Sequence, residues 1–351
     1  MYVVRPVEPA DVGALETLLA ASMPGVHTLP RTREKIAALV ERSCASFTAH
    51  VDIPSEETYL FVLEDIEHHE LVGTAAIHAS AGSNGTYFAF RNDVIQQVSR
   101  DLNISHSVHA LTLCSELTAY SQLSGFFISQ SVRHRSKADD RGGHEAALLS
   151  RARLLYSVLA PHRFGDRFFV PLAGVTDDDG QSPFWDALGR KFFKMDFLDA
   201  ERTIGGARNR TLIVELMPHY PVYVPLLPGP AQAAMGQIHP SGQLAFDLLT
   251  EEGFEADEYI DIFDGGPILQ AHKNALRCFR GSMVRKVATQ DQPSGAPDAM
   301  VSYAVASSER KFRAIVVSCA PAESSEALCL PAWAQGALGV APGDNVICVR
   351  I

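Results

Sequence analysis

The stretch whose reading decides the fold is "RSKADDRGGHEAALLSRARLLYSVLA", Arg135 to Ala160. Its first half is charged and carries two glycines, as a loop would. Its second half places Leu148, Ala152, Leu155 and Leu159 at spacings of four, three and four, which is one face of a helix. A loop that opens a helix is a natural anion site, because the first turn's unpaired N–H groups and the helix dipole both point at it. The strand-like "SQLSGFFIS" stands just before it, so the unit is strand, loop, helix.

Working outward, "YVVRPV" reads as a strand. "EPADVGALETLLAASM" and "TREKIAALVERSCASF" read as helices, with Asp11 a candidate N-cap. "TYLFVLED" and "ELVGTAAIHAS" form strands joined by the short polar "IEHHE", the pattern of an antiparallel hairpin. "HALTLC" adds strand character from Val108. After the central helix, "RFFVPLAGV" reads as a strand and "SPFWDALGRKFF" as a short helix with Ser182 before Pro183. "RTLIVELMP" is predicted as a strand, "PGPAQAAMGQIHPSGQLAFDLLTEEGF" as interrupted helix, and "EYIDIFDGGP" as strand plus turn. This order gives a mixed α/β sheet. Past about residue 275 the composition shifts. "ATQDQPSGAPDAM" reads as a linker or long loop, and "SYAVAS", "KFRAIVVSCA" and "NVICVRI" predict a small β-rich region over 276–351, set apart from a main domain over 1–275.

The bulk properties narrow the function. With 351 residues, 46% hydrophobic and 20% charged, the chain can bury a large core. No apolar run reaches the roughly 18–20 residues of a membrane span, and the N-terminus lacks a secretory h-region, so a cytoplasmic protein is expected. A net charge of −11 argues against a nucleic-acid partner. It would steer a cationic substrate favourably. The six cysteines are scattered, without a C-x-x-C pair, and read as reduced thiols rather than a disulfide framework or a zinc site. No metal is expected.

The element order, with a ligand loop between the fourth strand of the core and the next helix, is similar to the GNAT fold of acyl-CoA-dependent N-acyltransferases. Longer segments narrow the likeness: "SPFWDALGRKFFKMDF", "VELMPHYPVYVPLLP", "MGQIHP", "YIDIFDGGP", "FVLED" and "LGVAPGDNV" resemble the arginine N-succinyltransferase family across nearly the whole chain. "RNDV", "HALTLCSELTAYSQL" and "AFDLLTEEGFE" look like the alpha subunit of the two-subunit arginine/ornithine enzyme. The resemblance implies a GNAT-like sheet, mostly antiparallel and flanked by helices. It implies transfer of a succinyl group from succinyl-CoA to the α-amino group of L-arginine, or of ornithine, in arginine degradation. It also implies assembly with a homologous beta-type subunit.

The same resemblance assigns site residues. The family's proton donor lies in G-Q-x-H-P, which places it at His239; taken alone, a His before Pro is more often a cap or a structural hydrogen-bond donor. Whether His239 acts as acid, as base toward the amine, or only positions substrate stays open at this level. The strand position that meets the cofactor through its backbone falls on Phe126, which also fits a core residue. At the pyrophosphate loop the family's Gly-x-Gly aligns with His144-Glu145-Ala146, where a Cβ and a negative charge are unhelpful. Arg141, Gly142 and Gly143 would supply a shifted loop, or else tight pyrophosphate binding has been lost. On the next strand Val170-Pro171-Leu172-Ala173-Gly174 replaces Ala-Glu-Met-Arg-Gly, and Pro171 removes a ladder donor, so an interrupted or splayed strand is expected. Glu215, Asp261 and Asp264 could face a guanidinium, though each reads more readily as a turn, cap or surface residue. His68-His69 reads as solvated loop. A subunit that has given up CoA binding and supports an active partner is the competing functional reading.

Overall fold

The computed structural model describes residues 1–21, 29–30, 32–82, 85–130, 132, 144–204, 210–289 and 300–351. Among them a single sheet of fifteen strands runs through the molecule. Its centre is β1 (Tyr2–Pro6), β2 (Thr58–Asp65), β3 (Glu70–His78), β6 (Ser121–Ile128), β7 (Arg167–Pro171) and β10 (Pro267–His272), adjacent in that order. β1, β2, β3 and β6 pair antiparallel, as do β7 and β10; β6 and β7 pair parallel. Helices α1 (Val12–Ala20) and α2 (Arg33–Thr48) fill the connection from β1 to β2. The mixed, mostly antiparallel, helix-flanked sheet of a GNAT-like acyltransferase is therefore present.

Helix α3 (His144–Leu159) is the central helix of the quoted stretch. Its burial extends beyond the apolar stripe: Leu148, Leu149, Ala152, Leu154, Leu155 and Tyr156 are buried, and so are Arg151 and Arg153. A helix covered on all sides is an interior helix. Tyr156 meets Phe47, Phe61 and Phe312 edge-on at ring-centroid distances of 5.3–5.5 Å. Such pairs add to plain area burial. Phe312 belongs to the C-terminal region, so this core is shared across the chain.

The C-terminal strands β11 (Met283–Thr289), β12 (Val301–Ala306), β13 (Ala314–Cys319), β14 (Ala327–Leu330) and β15 (Asn345–Arg350) enter the sheet where β13 pairs with β1. Helix α11 (Ala332–Leu338) packs with them around Tyr303, Val305, Ile315 and Leu338. Arg163 fastens this region from outside the sheet. Its Nε donates to Glu309 at 2.8 Å, and its Nη atoms donate to the carbonyls of Ser46 and Ala49 at 3.1 and 3.0 Å. Arg163→Ala strips four acceptors of their donor, the Tyr59 hydroxyl among them, and takes the guanidinium from the half-buried Glu309. We expect it to lower unfolding stability by about 2–3 kcal/mol, read from the urea midpoint.

Two sequence expectations need correction. Arg210 to Pro218 is not a strand: Arg210–Leu216 is helix α7, after α4 (Pro183–Ala187), α5 (Gly189–Phe193) and α6 (Phe197–Ile204). The β-branched residues favour extended backbone, but burial falls on Ile213 and Met217, four apart, with Val214, Glu215 and Leu216 exposed. Tertiary packing of that face overrides local preference. A strand also went unread: β4 (Ala89–Ser99) pairs along its whole length with β5 (Ile104–Cys114). Its polar run "RNDV" hides the pairing, because much of this ribbon faces solvent on both sides. All six cysteines are free thiols.

Candidate active site

Strands β6 and β7 share only two paired positions, Ser121 with Phe168 and Gln122 with Phe169, and then part. Pro171 lies beyond the split. Leu172 sends its N–H to the Pro267 carbonyl of β10 at 3.1 Å. Strand alternation therefore puts the position of residue 171 that would carry an N–H on the β6 side. Proline costs no ladder bond there, because no partner strand remains. The splay expected from Pro171 is present.

On the other wall, the β3–β6 register slips between Thr74–Phe127 and Ala76–Ser124. Gly125 and Phe126 together face the single residue Ala75, which makes a bulge. Gly125 takes φ +59°, and a Cβ there would stand 2.7 Å from Leu29 Cδ2, so both backbone angle and space require glycine. Thr74 Oγ1 donates to the Gly125 carbonyl at 2.9 Å and fixes the bulge. Between the parted strands lies a 120 Å³ cavity, lined by Gly125, Phe126, Pro171, Arg153, Ser241 and Gly242 among others.

His239 lies two residues before Ser241 of that lining. Its N–H donates to the Ala173 carbonyl at 2.8 Å, and Ile238 bridges Gly174, so the "GQIHP" segment is tied to the chain leaving β7. That chain is itself buckled by the "DIFDGGP" turn. Asp264, buried, accepts from the N–H of Gly174 at 2.7 Å and of Gly266 at 2.8 Å, while Gly236 N–H reaches the Gly265 carbonyl at 2.8 Å. Asp261 Oδ1 accepts from Phe263 N–H at 2.7 Å. The two buried aspartates thus serve as turn residues that hold the histidine segment.

The imidazole is half-buried. Its Nδ1 accepts the Ser241 backbone N–H at 3.2 Å and lies 2.8 Å from the Ser241 hydroxyl. A backbone N–H is always a donor, so Nδ1 must offer its lone pair, and in the neutral ring the hydrogen sits on Nε2. His239 is therefore a cap through one nitrogen and a donor through the other. Nε2 makes no hydrogen bond among the described residues.

The other sequence candidates divide. Phe126 lines the cavity. Arg141, Gly142 and Gly143 lie outside the described residues. His144 opens α3 with Glu145 in its first turn, both half-buried. Glu215 is an exposed residue of α7, away from the cavity lining. His68 Nδ1 pairs with Asp65 at 2.9 Å in the exposed β2–β3 link.

Sequence reading missed Arg153, which lines the cavity from α3. It is 1% exposed, with Nε on the Ser150 carbonyl at 3.3 Å, Nη2 on Ser150 Oγ at 3.2 Å, and Nη1 on the Ser124 carbonyl at 3.4 Å. The Phe126 ring lies 5.7 Å from its guanidinium carbon. Burial pushes the guanidinium down to about 9. The available signal was an arginine inside the apolar run "LLSRARLLY".

Comparison with known proteins places this geometry. The profile of the family described as "Arginine N-succinyltransferase beta subunit" matches residues 2–278. The chain is 42% identical to arginine N-succinyltransferase subunit alpha of Pseudomonas aeruginosa, over the full length of both. It is 35% identical to arginine N-succinyltransferase of Yersinia pseudotuberculosis, covering all of this chain and 98% of that one. The solved structure of arginine/ornithine succinyltransferase subunit AI from Pseudomonas aeruginosa superposes with a TM-score of 0.85 at 39% identity, covering 100% of this chain and 98% of that one. The chain therefore belongs to the arginine N-succinyltransferase family, and within it is similar to the alpha subunit.

Proposed function

We propose that this chain transfers a succinyl group from succinyl-CoA to the α-amino group of L-arginine, with ornithine as the second candidate acceptor. The observation that carries the reading is His239, held by the carbonyl of Ala173 in the lining of the β6–β7 cleft, with a hydrogen directed out on Nε2. The cleft suits a pantetheine arm, since the bulge at Gly125 and Phe126 takes backbone groups out of the β3 ladder and Pro171 leaves the opposite wall open.

In the transfer, the neutral amine of the acceptor attacks the thioester carbonyl, the tetrahedral oxyanion collapses, and the carbon–sulfur bond breaks. His239 offers its Nε2–H as a hydrogen bond to the departing sulfur, the nitrogen that attacked loses one proton to solvent, and the thiolate takes one proton from solvent. The tautomer set by Ser241 favours this duty over proton abstraction, because Nε2 has no lone pair in the plane of the ring to take one. The backbone of Phe126 meets the cofactor arm.

Glu145 favours a second reading, since a carboxylate in the first turn of α3 opposes a pyrophosphate there. In that reading a homologous beta-type subunit binds the cofactor and this chain supports it. The name of the Pseudomonas relative supports a partner of this kind, as do Val98 and Leu102, exposed on the β4–β5 ribbon.

The test uses the full chain, alone and with its co-encoded homologue, given succinyl-CoA and arginine or ornithine. Mass spectrometry of the products should show N-succinylated arginine. Folded protein that forms no succinylated amino acid in either preparation contradicts the reading. Activity only with the homologue, and no calorimetric binding of CoA to the isolated chain, favours the supporting-subunit reading.

A further inference from the structure

Arg153 poses a chemical problem. A guanidinium removed from water is costly unless it is paired, and buried arginines ordinarily face a carboxylate. Its neighbour Arg151 obeys this rule, with Glu251 at 3.0 Å and Glu252 at 3.3 Å. Arg153 does not. Among the described residues no carboxylate pairs with it, and its three hydrogen bonds, at 3.2–3.4 Å, all go to neutral oxygens of Ser124 and Ser150. A guanidinium has five N–H groups. One on each terminal nitrogen is left over, the pair that makes a two-pronged fork for a carboxylate.

The fork is also in the right place. Arg153, Ser150 and Phe126 line the cavity together with Ser241 and Gly242, the residues that follow His239. The cavity therefore has the segment that carries His239 at one side and an uncompensated cation in its wall. A four-carbon dicarboxylic acyl group has the matching polarity, with a thioester carbonyl at one end and a carboxylate at the other.

We propose that Arg153 binds the free carboxylate of the acyl group and so selects a succinyl over an uncharged acyl donor. This rests on the succinyl-transfer reading above. Phe126 has two roles in it: its backbone meets the cofactor arm, and its ring covers one side of the guanidinium. The cost of the buried charge is relieved when the carboxylate pairs with it. Burial alone leaves the guanidinium protonated at neutral pH, so the receptor is charged before the donor arrives.

The test compares succinyl-CoA with butyryl-CoA, which has the same chain length and a methyl group where succinyl has its carboxylate. Calorimetric titration of the full-length wild type should favour succinyl-CoA by about 100-fold. Arg153→Met keeps the length of the side chain and removes the charge. It should bring the preference to about one or reverse it, mainly by weakening succinyl-CoA. Removing an unpaired buried charge should also leave the ligand-free thermal midpoint unchanged or raised. Arg153→Lys should recover part of the preference, since it restores the charge without the fork.

A wild-type preference that survives in Arg153→Met overturns the proposal. Equal loss of both donors with a lowered midpoint also overturns it and makes Arg153 a structural residue. Wild-type protein that binds both donors equally overturns the selectivity claim while leaving acyl transfer intact. Failure to bind either donor removes the cleft reading itself.

Discussion

His239→Asn is expected to lower kcat by about 100- to 10,000-fold while leaving the thermal midpoint close to that of the wild type. The two halves of this result come from the two nitrogens. Asn retains a side-chain acceptor for the Ser241 N–H, so the short turn at Pro240–Gly242 keeps its cap. It supplies nothing in the place of Nε2–H, and the thiolate must leave without a placed hydrogen-bond donor. Stopped-flow measurement of thiol release under saturating succinyl-CoA and amine reads the chemical step directly. A variant that folds and turns over at nearly the wild-type rate removes His239 from the reaction and leaves it a cap. The KM for succinyl-CoA should move much less than kcat, because the cofactor arm is held by the strands.

Asp264→Ala is expected to cost about 3–5 kcal/mol of stability, since each N–H left unpaired in the interior carries about 1–3 kcal/mol. The carboxylate holds the N–H groups of Gly174 and Gly266, and both glycines pack too tightly for a substitute contact. A Cβ on Gly266 would sit 2.3 Å from the Leu172 carbonyl and 2.5 Å from Gly174 N, against backbone that cannot give way. Equilibrium urea unfolding measures the loss. Activity should fall further than the folded fraction does, because Gly174 neighbours Ala173, whose carbonyl places His239. A normal urea midpoint would show that the turn does not depend on this carboxylate.

How much of this could be read from the letters follows from what each residue's neighbours are. The central helix announces itself because its apolar period is local, and so does the β2–β3 hairpin. Pro171 gives the splay away because a missing N–H is a property of one residue. His239 was reachable through "GQIHP", but the tautomer of its neutral ring was not. That depends on the backbone N–H of Ser241, two residues on. Asp261 and Asp264 read more readily as turn residues than as partners of a guanidinium, without a contact to settle it. Only the approach of Gly174, some ninety residues away in the chain, decides for the turn. Helix α7 was misread because the partners of Ile213 and Met217 are distant, and β4 because a two-sided polar ribbon has no apolar rhythm. Arg153 was invisible as a site residue, since burial without a counter-charge is a fact of three dimensions.

The central claim is that the β6–β7 cleft presents a thioester to His239. The most direct measurement is a crystal structure of the chain with succinyl-CoA and a non-reacting arginine analogue. The pantetheine arm should lie between β6 and β7, with the thioester sulfur within hydrogen-bonding reach of His239 Nε2 and Nδ1 still on Ser241. A thioester bound outside this cleft, or an imidazole turned so that Nε2 faces away from the sulfur, would contradict it.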